Sequence, residues 1–175
     1  MNAKLAALAK QVIEAARMQG LSLVTAESCT AGKLSNVLSE VPGAGEHLHG
    51  GFVTYTKEAK TKLLGVSLEL LRERGAVCVD TAVAMAEGAL RRSPANIALA
   101  ITGVAGPKPD EDHNPVGFVC IAAAREGFPS RHTERHYGPI GRAKILDEAM
   151  ADALTEALQL IHAPGNSGPQ GCVAK

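Results

Sequence analysis

Two continuous apolar runs, NIALAITG from Asn96 to Gly103 and VGFVCIAAA from Val116 to Ala124, constrain this chain most. Neither alternates with polar residues, which marks a strand buried on both faces rather than one with a wet side. Around them lie segments with helical spacing. Leu5, Leu8, Val12, Ile13 and Ala16 predict a helix from about Lys4 to Met18, stopped by Gly20, a residue suited to a left-handed cap. Further helices are expected from about Thr30 to Ser39, over KEAKTKLLGV closed by Gly65, over SLELLRERG closed by Gly75, from an Asp80 cap through Arg92, and from about Arg142 to His162. Leu21 to Thr25, GGFVTYT and RHTERHY read as strands, the last with one wet face.

Helices alternating with buried strands build a layered α/β domain, with helices on both faces of the sheet. Three late strands in succession make part of that sheet antiparallel. The expected fold is a single-domain three-layer α/β/α sandwich with a mixed, largely parallel sheet over residues 1–163. A tail over residues 164–175 has the composition of a flexible end. The whole length of 175 residues suits one domain.

Composition excludes several roles. Eighteen basic and eighteen acidic residues cancel, and aromatics make up only 3% with no Trp, so neither a general field nor stacking platforms invite nucleic acid. No apolar run approaches the ~20 residues that span a bilayer, so no membrane partner is expected. Lys10, Glu14 and Arg17 interrupt the N-terminal segment, which is not a signal peptide. Cys29, Cys78, Cys120 and Cys172 form no CxxC pair and read as reduced thiols of a cytoplasmic protein. His47 with His49, and His132, Glu134 and His136 on one strand face, are the metal candidates. No cysteine or second carboxylate completes either set, and no metal is expected.

The stretch TAESCTAGKLSNVL, Thr25 to Leu38, carries the first sign of chemistry. It is not a phosphate loop: Glu27 stands where such a loop needs its first glycine, and Leu34 follows Lys33 where a hydroxyl must hold magnesium. Ser28 lies at a strand-to-helix turn, where free N–H groups and the positive helix end can stabilise an oxyanion. By position alone it either caps the helix or acts as a nucleophile. A nucleophile needs a base, and no GxSxG or SxxK pattern supplies one. Lys60, in TKEAK, reads on its own as a solvated lysine. Glycines after the buried strand, in ITGVAGP, permit close backbone approach.

TAESCTAG, GGFVTYTKEAKTKLLGV, ITGVAGP and NPVGFV, in this order and spacing, resemble the CinA C-terminal domain family. Its characterised enzymatic members are nicotinamide mononucleotide amidohydrolases of the PncC type. The resemblance runs from roughly Leu21 to Ile161. It implies serine-lysine catalysis with Ser28 as nucleophile, Lys60 as base and Tyr55 assisting, and no metal or organic cofactor. It places substrate contacts at Glu27, Cys29, Thr30 and Gly32 in the first motif. Thr102, Gly103 and Gly106 follow in the second loop, and Arg142 at the last helix grips a phosphate. Glu27 could orient Lys60 or the substrate amide, or simply cap a helix or form a structural ion pair. The implied partner is a small pyridine mononucleotide, and the implied assembly a homo-oligomer.

Three positions depart from the family pattern. Ala31 replaces a glycine, which a helical backbone would tolerate. KPDEDHN, Lys108 to Asn114, replaces a glycine-rich loop and brings three acids towards the proposed anion site. Leu146 stands where a second arginine is frequent. These departures motivate the alternative reading, a nucleotide-binding accessory member with little or no turnover.

Overall fold

Large and small side chains alternate along one strand, and that alternation decides how the layers stack in the computed structural model, which describes residues 2–164. The elements are α1 (Ala3–Gln19), β1 (Leu23–Glu27), α2 (Lys33–Ser39), β2 (Leu48–Val53), α3 (Lys57–Leu64), α4 (Leu68–Glu73), α5 (Val79–Arg91), β3 (Ile97–Gly103), β4 (Phe118–Arg125), β5 (Arg131–His136) and α6 (Arg142–Ile161). On β3, Ile97, Leu99 and Ile101 face α1, α2 and α6, while Ala98 and Ala100 face α3, α4 and α5. On β4, Val119 and Ile121 join the first face, and Cys120, Ala122 and Ala124 the second. Each buried Ile or Leu contributes about 1.5–3 kcal/mol, so the first face holds the larger core. The alanine-lined face instead lets α5 lie close, through Ala82, Met85, Ala86 and Ala89.

The strand order is β2-β1-β3-β4-β5. β1 pairs in parallel with both β2 and β3, and the later strands add antiparallel pairs. This is the expected three-layer fold with its mixed sheet. The carboxyl ends of β1, β2 and β3 therefore open on one edge, where ligands bind in such sheets. Gly88 of α5 sets how close α3 lies to that helix: a Cβ there would run into the backbone carbonyl of Leu64, so only glycine lets α3 pack this tightly.

Several local expectations are corrected. α2 begins at Lys33 rather than near Thr30, because Ala31 (φ 50°) and Gly32 (φ 93°) form a left-handed turn. β2 ends at Val53, so Tyr55 lies beyond the sheet. α5 is capped by Cys78, whose Sγ accepts the Thr81 N–H at 3.3 Å, and not by Asp80, which pairs with Arg74 at 3.1 Å. β5 is exposed along almost its whole length, not on one face alone. Its arginines reach α6 instead, Arg131 to Glu156 at 2.9 Å and Arg135 to Asp152 at 2.7 Å. His136 bonds Glu134 at 3.0 Å, and no group of three metal-binding side chains occurs among the described residues. No helix among them is long and apolar enough to cross a membrane. Beyond Pro164, the expected tail with Cys172 lies outside the described residues.

Candidate active site

The site grows from backbone stitches just beyond the parallel strands. The Thr54 N–H donates to the Glu27 carbonyl at 2.8 Å, and the Ser28 N–H to the Ile101 carbonyl at 2.9 Å. These bonds hold the first residues past β1, β2 and β3 side by side. Thr56 then caps α3 by accepting the Ala59 N–H at 3.0 Å, and Gly65 (φ 72°) closes the helix. Between them, Lys60 and Leu64 share the inner face, one turn apart.

Lys60 is 0% exposed. Its Nζ donates to Ser28 Oγ at 2.9 Å and to the Thr54 carbonyl at 2.8 Å. No carboxylate pairs with it among the described residues, and burial pushes its pKa from 10.5 down to about 8. A lysine without a counter-ion inside a protein readily gives up its proton, which is the state a base requires. Burial acts oppositely on the neighbouring Cys29 thiol, pushed up to about 12, so that cysteine stays protonated and unreactive.

Glu27 does not face substrate. Its Oε2 accepts the N–H groups of Gly32 (2.9 Å) and Leu34 (3.0 Å), and its Oε1 that of Ser35 (2.8 Å). The positive end of α2, expected to serve an oxyanion, is thus already occupied by a carboxylate. Gly32 is likewise removed from the substrate set, since its N–H is committed. The N–H groups of Cys29 and Thr30 are different: neither has an acceptor among the described residues. The Thr30 side chain is buried with an unpartnered hydroxyl, away from the cavity. Ala31 is left-handed and not helical, so its methyl group is strained rather than tolerated.

A cavity of about 340 Å³ opens over Ser28 and Lys60. Tyr55 forms part of its wall at 61% exposure, and its hydroxyl makes no hydrogen bond among the described residues, so it stands apart from the Ser28–Lys60 pair. Thr102 reaches the cavity, but its one hydroxyl proton goes to the Ala76 carbonyl at 2.7 Å and is not available to a ligand. Gly103 and Gly106 line it as well. A Cβ on Gly103 would collide with Val119, so sheet packing alone requires that glycine. The N–H groups of Ala105 and Gly106 lack acceptors among the described residues. Arg142 spans the two loops, with Nη1 3.3 Å from the Gly106 carbonyl and Nη2 3.4 Å from the Cys29 carbonyl.

The acidic loop does line the cavity, yet its charges are engaged. Asp110 accepts the N–H groups of Asp112 (3.1 Å) and Asn114 (2.8 Å), while Lys57 lies 2.6 Å from Glu111 and 3.4 Å from Asp112. Leu146 is 3% exposed within the core and does not face the cavity. Sequence reasoning missed Thr54, Lys57 and Ala76. Two of them act through backbone carbonyls, which carry no residue signature, and Lys57 had no visible partner until the loop folded back.

A family model described as the CinA C-terminal domain matches residues 5–161. A CinA-like protein of Chloroherpeton thalassium is 45% identical over 117 residues, covering 67% of this chain and 28% of that protein. Among solved structures, the competence/damage inducible protein CihA from Agrobacterium tumefaciens has a TM-score of 0.88 at 40% identity, covering 93% of this chain and 98% of that one. A CinA superfamily protein from Escherichia coli gives 0.84 at 35% identity, covering 89% and 90%. The chain thus spans about a third or less of the length of the curated relatives it matches, but nearly all of the solved ones. It belongs to the CinA C-terminal domain family.

Proposed function

We propose that this chain is an amidohydrolase that converts nicotinamide mononucleotide and water into nicotinate mononucleotide and ammonia. The observation that carries the reading is the buried, carboxylate-free Lys60 Nζ at 2.9 Å from Ser28 Oγ. Neutral Lys60 takes the Ser28 proton as Oγ attacks the carboxamide carbon. The oxyanion is received by the uncommitted N–H group of Cys29, which lines the cavity and needs no reorganisation during the reaction. When the tetrahedral adduct collapses, the C–N bond breaks and Lys60 returns the proton to the leaving ammonia. Water, deprotonated by the same lysine, then cleaves the acyl ester.

The remaining walls suit the rest of such a substrate. Arg142 offers its guanidinium to the phosphate, at a helix end that has no acidic first-turn residue and no side-chain cap. Tyr55 presents an exposed ring against which a pyridine can lie. The cavity volume falls at the small-ligand end of the usual range for binding pockets.

The test is ammonia release from nicotinamide mononucleotide by the purified chain. The parent should turn the nucleotide over, and Ser28→Ala should lose about 10³-fold or more of kcat. No ammonia from the parent, or a Ser28→Ala variant as active as the parent, overturns the reading. The accessory alternative predicts nucleotide binding without product, and calorimetry beside the ammonia assay separates the two.

A further inference from the structure

We propose that the buried Thr25–Glu27–Ser35 cluster, seated against Gly51, is a positioning device for Ser28; the proposal rests on the reading of Ser28 as nucleophile. The chain leaves β1 at Glu27 and returns to the same carboxylate at Gly32, Leu34 and Ser35, at 2.8–3.0 Å. Residues 28–31 are therefore a short span tied at both ends to one side chain. Ser28 is the first residue of that span. Its backbone is pinned further by the bond to Ile101, so its Oγ has little freedom except rotation about one torsion.

This is more than the cap of a short helix. The N-cap residue is Gly32, five positions after Glu27, and it has no side chain to do the work. Two hydroxyls close the cluster from different elements. Thr25 Oγ1 of β1 and Ser35 Oγ of α2 lie 3.1 and 3.0 Å from Glu27 Oε1, and 2.5 Å from each other. β2 supplies the space: a Cβ on Gly51 would overlap the Ser35 hydroxyl and lie 2.5 Å from Thr25 Oγ1. Gly51 has no positive φ, so space and not backbone conformation calls for glycine there. All of Thr25 and Glu27 is sealed from water.

The cluster also fixes which donors remain. By taking the N–H groups at positions 32, 34 and 35, Glu27 keeps the α2 end from competing for the substrate oxygen. The Cys29 N–H, inside the tied span and on the cavity wall, is left to receive it. A loosened span would misplace nucleophile and donor together, and an error near 1 Å can cost about 10²-fold in rate. Arg142 touches the span only through its long 3.4 Å bond to the Cys29 carbonyl and is also held by Gly106 outside it, so substrate binding through Arg142 and the Gly106 loop should persist.

The experiment measures the rate at which phenylmethylsulfonyl fluoride modifies Ser28, read by mass spectrometry, together with kcat and KM for nicotinamide mononucleotide. Glu27→Gln places an amide donor against the backbone donors. Gly51→Ala displaces the hydroxyls from the β2 side without touching Glu27. In both, Ser28 modification and kcat should fall, by about 10²-fold in Glu27→Gln, while KM stays near the parental value. If Glu27→Gln does not fold, Gly51→Ala decides alone. Parental labelling rates in the folded variants, or a raised KM with unchanged kcat, overturn the proposal. A parent that is not labelled at Ser28 overturns the nucleophile reading itself, and this proposal with it.

Discussion

Lys60 Nζ and Ser28 Oγ lie 2.9 Å apart although 32 residues separate them in the chain. Three separate packing facts produce the contact. Gly88 admits α3 close to α5, the Glu27–Thr54 stitch extends the β1–β2 register, and the Thr54 carbonyl at 2.8 Å aims the ammonium. The lysine is thereby placed in a dry site with a carbonyl and a hydroxyl, and no carboxylate, for company. That is a costly location for a charge and a useful one for a base.

The first consequence is a pH profile. Only neutral Lys60 accepts the Ser28 proton, and burial sets its pKa at about 8. Below that, the competent fraction falls tenfold per unit, to roughly 1% at pH 6. kcat/KM should therefore climb with unit slope from pH 6 towards 8 and level off above. A rate independent of pH from 6 to 9 would remove Lys60 from the chemistry.

Stability responds to the same group with a definite sign. Lys60 titrates near 8 when folded and near 10.5 otherwise, so between these values the unfolded chain binds more protons. Its contribution to stability accordingly rises with pH across that window, and the full cost, roughly 3 kcal/mol, is present at pH 7. Lys60→Met escapes the cost but leaves the Thr54 carbonyl unpaired, at about 1–3 kcal/mol. The two nearly offset at pH 7. Relative to the parent, the variant should lose stability as pH rises from 8 to 10, as urea midpoints will read. A difference that does not change with pH contradicts the buried-charge account.

Legibility in the sequence followed the range of the interactions. NIALAITG declared a strand buried on both faces because every residue from Ile97 to Thr102 is in fact covered, and that depends only on local composition. The late antiparallel strands followed from their succession. Lys60 was different: its KEAK context is polar, and its buried partners, Ser28 and the Thr54 carbonyl, come from other elements. Only family resemblance brought it forward. For Glu27 the resemblance implies a substrate contact while its position also allows a cap, and the cap is what forms, through backbone N–H groups that any sequence would provide. The Ala31 expectation failed for a related reason, since the turn's handedness is set by the return of the chain to Glu27.

That turn yields a prediction of its own. Ala31 holds φ 50°, where an alanine costs more than a glycine. Ala31→Gly should stabilise the fold by about 1 kcal/mol, a rise in Tm of roughly 2–4 °C for a domain of this size. Thermal unfolding checks it. An unchanged or lowered Tm would mean that the strain is relieved elsewhere in the turn.

Arg142 provides the sharpest test of where the phosphate goes. Its present bonds, 3.3 and 3.4 Å to two carbonyls, are long and leave most of the guanidinium free to grip an anion. A charge-assisted contact is worth about 1.5–3 kcal/mol, so Arg142→Leu should raise KM for nicotinamide mononucleotide roughly 10- to 100-fold. Nicotinamide riboside lacks the phosphate, and its KM should barely differ between parent and variant. Equal losses for nucleotide and riboside would instead assign Arg142 to holding the Cys29 and Gly106 loops together, since a disordered loop pair would harm both substrates alike.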